Sequence, residues 1–384
     1  MSRVSDIAAT VKRAAQDAGF DLSGVASARG AAELRYFPEW IAAGHAGEMR
    51  YMEARDEQGA LKRESLSHVA PWARSVVVCA INYNSAQPYS NQVHASGRGW
   101  ISRYAWSRED YHEAVMRRLR RVEDVIRSAD CDAGEGPDVT TRCYVDTGPI
   151  VERVYAKYAG VGWIGKNTCI INQGKGSWLF LGVILTSLEL APDLAAPDRC
   201  GSCTRCIEAC PTDAFVGPYK LDATKCISYL TIEKRGAIPE ELRTGIGQNI
   251  FGCDICQDVC PWNRKAPATT APEFEPRPEL VNPALEWLAE MSAEEFREVF
   301  RGSPVRRTKR AGLRRNVAIA MGNSSERKFL PLLEQLAADE DQSVAESALW
   351  ARKQLLDSDL YPHRNTRLHA AHLCTRTSVT GISG

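Results

Sequence analysis

The chain has 384 residues, 44% of them hydrophobic and 25% charged, a composition ordinary for a soluble protein and a length that allows two or three cores. Its 48 basic and 48 acidic side chains cancel, which excludes a global attraction to nucleic acid and leaves only local patches. No stretch approaches the roughly 18 apolar residues of a membrane span. Residues 1–20 form an amphipathic pattern without an uninterrupted apolar core or a twin-arginine pair, so no export signal is expected and the expected location is the cytoplasm.

Residues 5–18 place Ile7, Ala8, Val11, Ala14, Ala15 and Ala18 at helical spacing, ended by Gly19. Residues 22–26 read as a short strand, 31–43 as a helix stopping at Gly44, and 47–55 as a further segment. The β-branched run Ser75-Val-Val-Val-Cys-Ala-Ile81 reads as a buried strand over 74–83. A charged helix is expected over 110–129, with Val115, Leu119, Val122 and Ile126 on one face, followed by a Gly/Pro/acid loop over 130–138.

Residues 142–153 read as a strand running into a helix start, with Pro149 suited to the first helical position. Asp146 then sits at a strand's C-terminal end beside a helix N-terminus, where clefts in α/β sheets form; position alone also suits it to cap that helix. The helix is expected to reach Tyr158. A Gly-rich loop, 160–168, carries Lys166 and Asn167, and strands over 169–172 and 178–187 complete a mixed α/β domain over 1–190.

The next module, 191–267, holds Cys200, Cys203, Cys206 and Cys210 followed by Pro211, then Cys226, then Cys253, Cys256 and Cys260 followed by Pro261. The first run is Cys-x2-Cys-x2-Cys-x3-Cys-Pro, in which three cysteines hold one 4Fe-4S cube and the fourth serves the other cube of a two-cluster ferredoxin. Two-residue gaps let one turn of backbone wrap three corners of a cube, while the longer gap and the proline swing the fourth thiol away. Cys200, Cys203, Cys206 and Cys260 are therefore assigned to one cluster, and Cys210, Cys226, Cys253 and Cys256 to the other. The alternatives are paired structural zinc sites, which rarely carry the Cys-x3-Cys-Pro ending, and disulfides, which need an oxidising compartment. Cys79, Cys143 and Cys169 fall in strands and read as small buried residues.

Thr269, Thr270, Pro272, Pro276 and Pro278 mark a linker. Beyond it, over 279–357, helices are expected at 283–300, 309–321 (stopped by Gly322), 327–337 and 344–356. Val317-Ala-Ile-Ala and Ala348-Leu-Trp-Ala recur about thirty residues apart, as in a HEAT-like repeat. Arg301, Arg306, Arg307, Lys309, Arg310, Arg314 and Arg315 form a basic run with no acid before Glu326. Such a run either neutralises nucleic-acid phosphates or is a solvated helix face. Residues 363–384, with three histidines and Cys374, read as a disordered tail.

Several motifs together resemble the epoxyqueuosine reductases: 144–153, 162–168, the eight cysteines, Cys226-Ile-Ser-Tyr-Leu-Thr-Ile-Glu233, and 252–263. The resemblance extends to about residue 356. It implies an α+β protein: a cobalamin-binding mixed α/β domain, a two-cluster ferredoxin-like module and a HEAT-like helical domain gripping tRNA through Arg306, Arg307, Lys309, Arg310, Arg314 and Arg315. It also implies reduction of tRNA-borne epoxyqueuosine to queuosine by a monomer, using cobalamin, two 4Fe-4S clusters and an external electron donor. Asp146 is implied as proton donor, its pKa raised by burial against the corrin and substrate, and as a cofactor-site residue with Arg63; Lys166 and Asn167 are implied as hydrogen-bond donors to the corrin amides or to the substrate. Asp110-Tyr-His112 begins the Asp-x-His-x-x-Gly signature of histidine-ligated cobalamin, but Val115 replaces its glycine, which agrees with a cobalt lacking a histidine ligand. Two other readings compete: a cobalamin-dependent reductive dehalogenase, for which an export signal would be expected, and a non-catalytic ferredoxin-type electron carrier.

Overall fold

The computed structural model describes residues 3–93, 96–129 and 139–357; the loop expected over 130–138 and the tail over 363–384 lie outside the described residues. Helix α1 (Arg3–Asp17) leads into strand β1 (Leu22–Ser27). The helix expected over 31–43 is instead a 3-10 turn, Ala32–Tyr36, followed by α2 (Phe37–Ala42), because Pro38 supplies no N–H to continue the first ladder. Strand β2 (Ser75–Asn82), the short β3 (Trp100–Ile101) and helix α3 (Tyr111–Ser128) follow.

Next come β4 (Thr141–Tyr144), α4 (Glu152–Tyr158), the short pair β5 (Trp163–Ile164) and β6 (Ile170–Ile171), and β7 (Leu179–Thr186). The main sheet has the order β1-β2-β7-β4 and is antiparallel throughout. Its central strand is buried on both faces: Val77, Cys79 and Ile81 join the core under α1 and α3, and Val76, Val78 and Ala80 the core under α4. Double burial explains an unbroken apolar run in an antiparallel strand.

The cysteine module contains α5 (Arg205–Glu208), the hairpin β8 (Phe215–Gly217) and β9 (Lys220–Leu221), α6 (Ile227–Ile232), α7 (Glu240–Ile246), β10 (Asn249–Phe251) and α8 (Ile255–Asp258). Strand β10 pairs in parallel with β3, so this module shares a core with the α/β part and with the helices beyond. The linker is pinned rather than free: Phe274 and Leu280 are buried, and Glu273 bonds Arg118 of α3.

The helix expected over 283–300 is two, α9 (Leu285–Glu290) and α10 (Ala293–Val299). Ser292 and Glu295 close a capping box at the break, with Glu295 N–H donating to Ser292 Oγ at 3.1 Å and Ser292 N–H to Glu295 Oε2 at 2.7 Å. Helix α11 (Lys309–Asn323) runs through Gly322, and α12 (Leu330–Leu336) and α13 (Gln342–Asp357) follow. Gly322 is needed for packing, not for termination: a Cβ there would stand 2.8 Å from Ala351 Cα of α13. Among the described residues no helix is long and apolar enough to cross a membrane.

Candidate active site

Asp110 caps α3, its Oδ1 accepting from His112 N–H at 2.9 Å. This fixes Tyr111 and His112 at the helix entrance, where Tyr111 stacks on Phe180 at 4.4 Å and His112 on Tyr111 at 4.0 Å. Asp146, two residues past β4, adopts φ +58°, a left-handed conformation that Asp and Asn tolerate better than most residues. It caps no helix: Pro149 precedes the first turn, and α4 starts only at Glu152, with Val151 at the cap.

Tyr111 O–H donates to Asp146 Oδ2 at 3.1 Å, and the same oxygen lies 3.6 Å from His112 Nε2 and 3.8 Å from an Arg307 nitrogen. The Asp146 side chain is 52% exposed, and it faces a cavity of about 480 Å³ walled also by Tyr51, Lys62, Pro149 and Arg307. Arg307 reaches this cavity from the helical end of the chain, and is held by Glu233 at 2.7 Å. The basic run thus contributes to the same cavity as Asp146.

The charge state of Asp146 differs from the expected one. The His112 hydrogen bond, opposed by burial and aided by the His112 and Arg307 charges, holds its carboxyl below the ordinary value. The proton resides on His112 instead. Burial lowers the His112 pKa, but its bonds to Asp110 and Asp146 outweigh burial and raise it to about 9. The stability this pair supplies is full below the ordinary histidine pKa and is lost as pH rises through about 9. Glu152 is a second group, inside the 144–153 motif but given no role by it. Burial first, then the Asp146 charge, pushes it up to about 7, and its Oε1 has no partner.

Arg63 is 8% exposed and donates to the carbonyls of Tyr51 at 2.6 Å and Gly148 at 3.0 Å. It therefore holds the Asp146 loop in place, and it also lines the Asp146 cavity. Lys62, not singled out by sequence, lines the cavity with no side-chain bond among the described residues. Lys166 and Asn167 are elsewhere. Lys166 Nζ donates to the carbonyls of Gly201 at 2.7 Å and Cys203 at 3.0 Å, and Asn167 Nδ2 to that of Cys256 at 3.3 Å. Both pin the cysteine loops and line the cavity over Cys200, Cys203, Cys206 and Cys260, not the one that Asp146 faces.

The eight cysteines carry free thiols in two groups. Burial, then Cys200 and Cys203, pushes the Cys206 thiol up to about 11, and Cys260 is raised to about 11 by burial, with Cys200 and Cys206 beside it. In the second group burial raises Cys226 and Cys253, with Cys210 near both. Cys256 neighbours Cys253 and Cys226, and its strongest partner is the Cys169 thiol. Among the described residues no three His, Cys, Asp or Glu side chains converge as a single metal ion requires. Helices α5 and α8, packed together, interlace the groups: α5 carries Cys206 and leads to Cys210, while α8 carries Cys256 and leads to Cys260.

The second group backs onto the Asp146 cavity. Buried Asp254 accepts from Trp100, Ser102 and the Arg103 N–H, fixing the Cys253 loop. Tyr104 packs between that loop and the site, with ring centroids 6.0 Å from both Phe251 and Tyr111.

Residues 63–147 match the family model described as epoxyqueuosine reductase QueG, DUF1730, and residues 199–263 match the 4Fe-4S double cluster binding domain. An epoxyqueuosine reductase of Xanthomonas campestris pv. campestris is 38% identical over 91% of this chain and 96% of its own length, and that of Pseudomonas aeruginosa 39% over 91% and 94%. The chain belongs to the epoxyqueuosine reductase family. It is an oxidoreductase, and it carries the family's double-cluster domain. A crystal structure of an epoxyqueuosine reductase with an epoxyqueuosine-modified tRNA stem loop matches at TM-score 0.80 and 30% identity, covering 97% of this chain and 95% of the other. The Bacillus subtilis enzyme, described with an aspartate-bearing catalytic loop swung out of the active site, matches at TM-score 0.79 and 29% identity over 96% and 97%.

Proposed function

We propose that this chain reduces the epoxide of tRNA-borne epoxyqueuosine to the alkene of queuosine, with Asp146 delivering a proton to the epoxide oxygen. The observation that carries this reading is the convergence of Asp146, His112 and Arg307 on one cavity in a member of this family. The family structure bound to a modified stem loop supports tRNA as the partner. The reaction consumes two electrons and two protons and releases water. Asp146 is ionised at rest, so the proton it gives comes from His112 across the 3.6 Å contact, and Arg307 offsets the negative charge that develops on oxygen. Filling the cavity removes water from Asp146 and favours its protonated form.

Cys200, Cys203, Cys206 and Cys260 hold one 4Fe-4S cluster, and Cys210, Cys226, Cys253 and Cys256 the other; free thiols gathered in fours fit that role. Cobalamin, the family's second cofactor, supplies the low-potential reducing centre. The Lys62 ammonium, without a side-chain bond among the described residues, and the Tyr51 and Pro149 rings suit an amide-rich macrocycle at the cavity wall. Helices α11 to α13 are read as the HEAT-like tRNA-binding part.

The direct test is to incubate reconstituted protein with epoxyqueuosine-containing tRNA and a strong reductant, digest the tRNA and weigh its nucleosides. Loss of one oxygen from the modified nucleoside is expected; an unchanged nucleoside would overturn the assignment. Turnover should also fall as pH rises through about 9, where His112 loses its proton, and His112→Gln should abolish that alkaline limb. A wild-type profile flat through this range would remove His112 from the proton path.

Cys169 lies against Cys256 and is half-buried. An S–H donor stabilises the more negative, reduced cluster, so Cys169→Ala should lower the midpoint potential of the second cluster by on the order of 20–60 mV, the equivalent of roughly 0.5–1.5 kcal/mol for one electron. A redox titration followed by electron paramagnetic resonance measures this; an unshifted potential would reduce Cys169 to packing.

A further inference from the structure

Seven of the eight cysteines are half-buried and Cys260 is buried, so the difference between the groups lies in what flanks them. The Cys253 loop of the second group runs between buried Phe251, Gly252 and Asp254, with Tyr104 against Gly252 on the side of the Asp146 cavity. Around the first, Asp198, Arg199, Gly201, Ser202, Thr204 and Arg205 are all exposed, and a second cavity, of about 240 Å³, opens over Cys200, Cys203, Cys206 and Cys260.

Arg199 and Arg205 line that cavity and make no side-chain hydrogen bond or ion pair among the described residues. The acids nearby are engaged: Asp198 accepts from the Cys200 N–H at 2.7 Å and from Tyr219 O–H, and Glu208 accepts from Thr204. Trp262 lines the same cavity, and Tyr219, 42% exposed, is tied beside it by its O–H bond to Asp198. Free guanidinium groups with exposed aromatic surface, placed over a redox centre, form a face complementary to an acidic protein.

We propose that this face docks the electron donor, and that the donor is a small acidic protein carrying a low-potential one-electron centre. The proposal rests on the reading that the first quartet holds a cluster. At each docking the carrier is oxidised by one electron and the first cluster is reduced by one. Because epoxide reduction to alkene and water consumes two electrons and two protons, two dockings serve each turnover. On this reading the second quartet, whose Cys253 loop meets Tyr104 beside Tyr111, is the one on the side of the Asp146 cavity.

The test uses a reduced plant-type 2Fe-2S ferredoxin, an acidic protein with a potential near about −400 mV, mixed with the reconstituted full chain in a stopped-flow instrument. Arg199→Glu/Arg205→Glu should slow cluster reduction by about tenfold or more at low ionic strength, with the gap closing as salt rises. Photoreduced deazaflavin, a small reductant with no docking surface, should reduce variant and wild type at equal rates, with equal iron content and cluster potentials. Ferredoxin reducing both proteins equally fast would overturn the proposal. So would a shifted cluster potential with both reductants slowed alike, since the arginines would then only balance cluster charge. If the double glutamate variant loads iron poorly, Arg199→Gln/Arg205→Gln should give a smaller loss with ferredoxin alone, and no loss there counts against docking. Protein that takes up no iron at all would overturn the cluster reading and this proposal with it.

Discussion

Asp146→Asn should keep the fold and both clusters while losing about 10²- to 10⁴-fold in turnover, the usual worth of a positioned acid. Asparagine has the same shape and tolerates the φ of +58° found at this position, so the loop held by Arg63 should stay in place. It can still accept from Tyr111 but can neither carry the transferred proton nor hold the imidazolium. The His112 pKa should therefore drop from about 9 toward its ordinary value, because one of the two partners that raise it is removed. Two readouts separate this from simple unfolding: iron content and cluster spectra should match wild type, and the alkaline limb of the residual activity should move to lower pH. Full turnover in the variant would remove Asp146 from the mechanism. Asp146→Ala is the poorer test, since alanine strains at a left-handed position.

What the sequence discloses follows from how local each signal is. Cysteine spacing is covalent and short-range, so a two-cluster module can be named before any coordinates exist. The central strand and the face of α3 are legible because burial imposes a period. The break between α9 and α10 is also written in the chain, as Ser292-x-x-Glu295, yet the apolar spacing across it hides the cap. By contrast, the depressed pKa of Asp146 is set by His112 on another element and by Arg307 from 161 positions later, and no periodicity encodes such a meeting. The bonds of Lys166 and Asn167 are non-local in the same way: nothing in the Gly-rich loop announces that the fold turns both toward the carbonyls of the cysteine loops.

Arg315→Met should destabilise the protein by about 3–5 kcal/mol, whereas Arg306→Ala and Lys309→Ala should leave stability nearly unchanged and weaken tRNA binding. The basic run looks uniform in sequence and is divided by the fold. Arg315 is 1% exposed, and its guanidinium donates to the carbonyls of Leu230, Lys234 and Gly236 and to Asn316. Burial lowers its pKa to about 10, so it remains charged near neutral pH. It is a buried bracket between α11 and the segment after α6, which corrects its expected role as a phosphate ligand. Methionine would fill much of the space but leave three carbonyls without their donor, each at a cost of about 1–3 kcal/mol before relaxation. Arg314, paired with Asp339, and Arg310, donating to the Met291 carbonyl at 3.0 Å, are also partly committed to the fold. Arg301, Arg306, Arg307 and Lys309 remain exposed, and Arg307 already faces Asp146. Removing one phosphate-binding cation from this set should flatten the dependence of log affinity on log salt by roughly 0.7–0.9. Thermal midpoints and salt-dependent filter binding on the same variants separate the two classes. An Arg315→Met protein as stable as wild type, or an Arg306→Ala/Lys309→Ala protein with an undiminished salt slope, would show that the boundary between bracket and phosphate ligand falls at other residues.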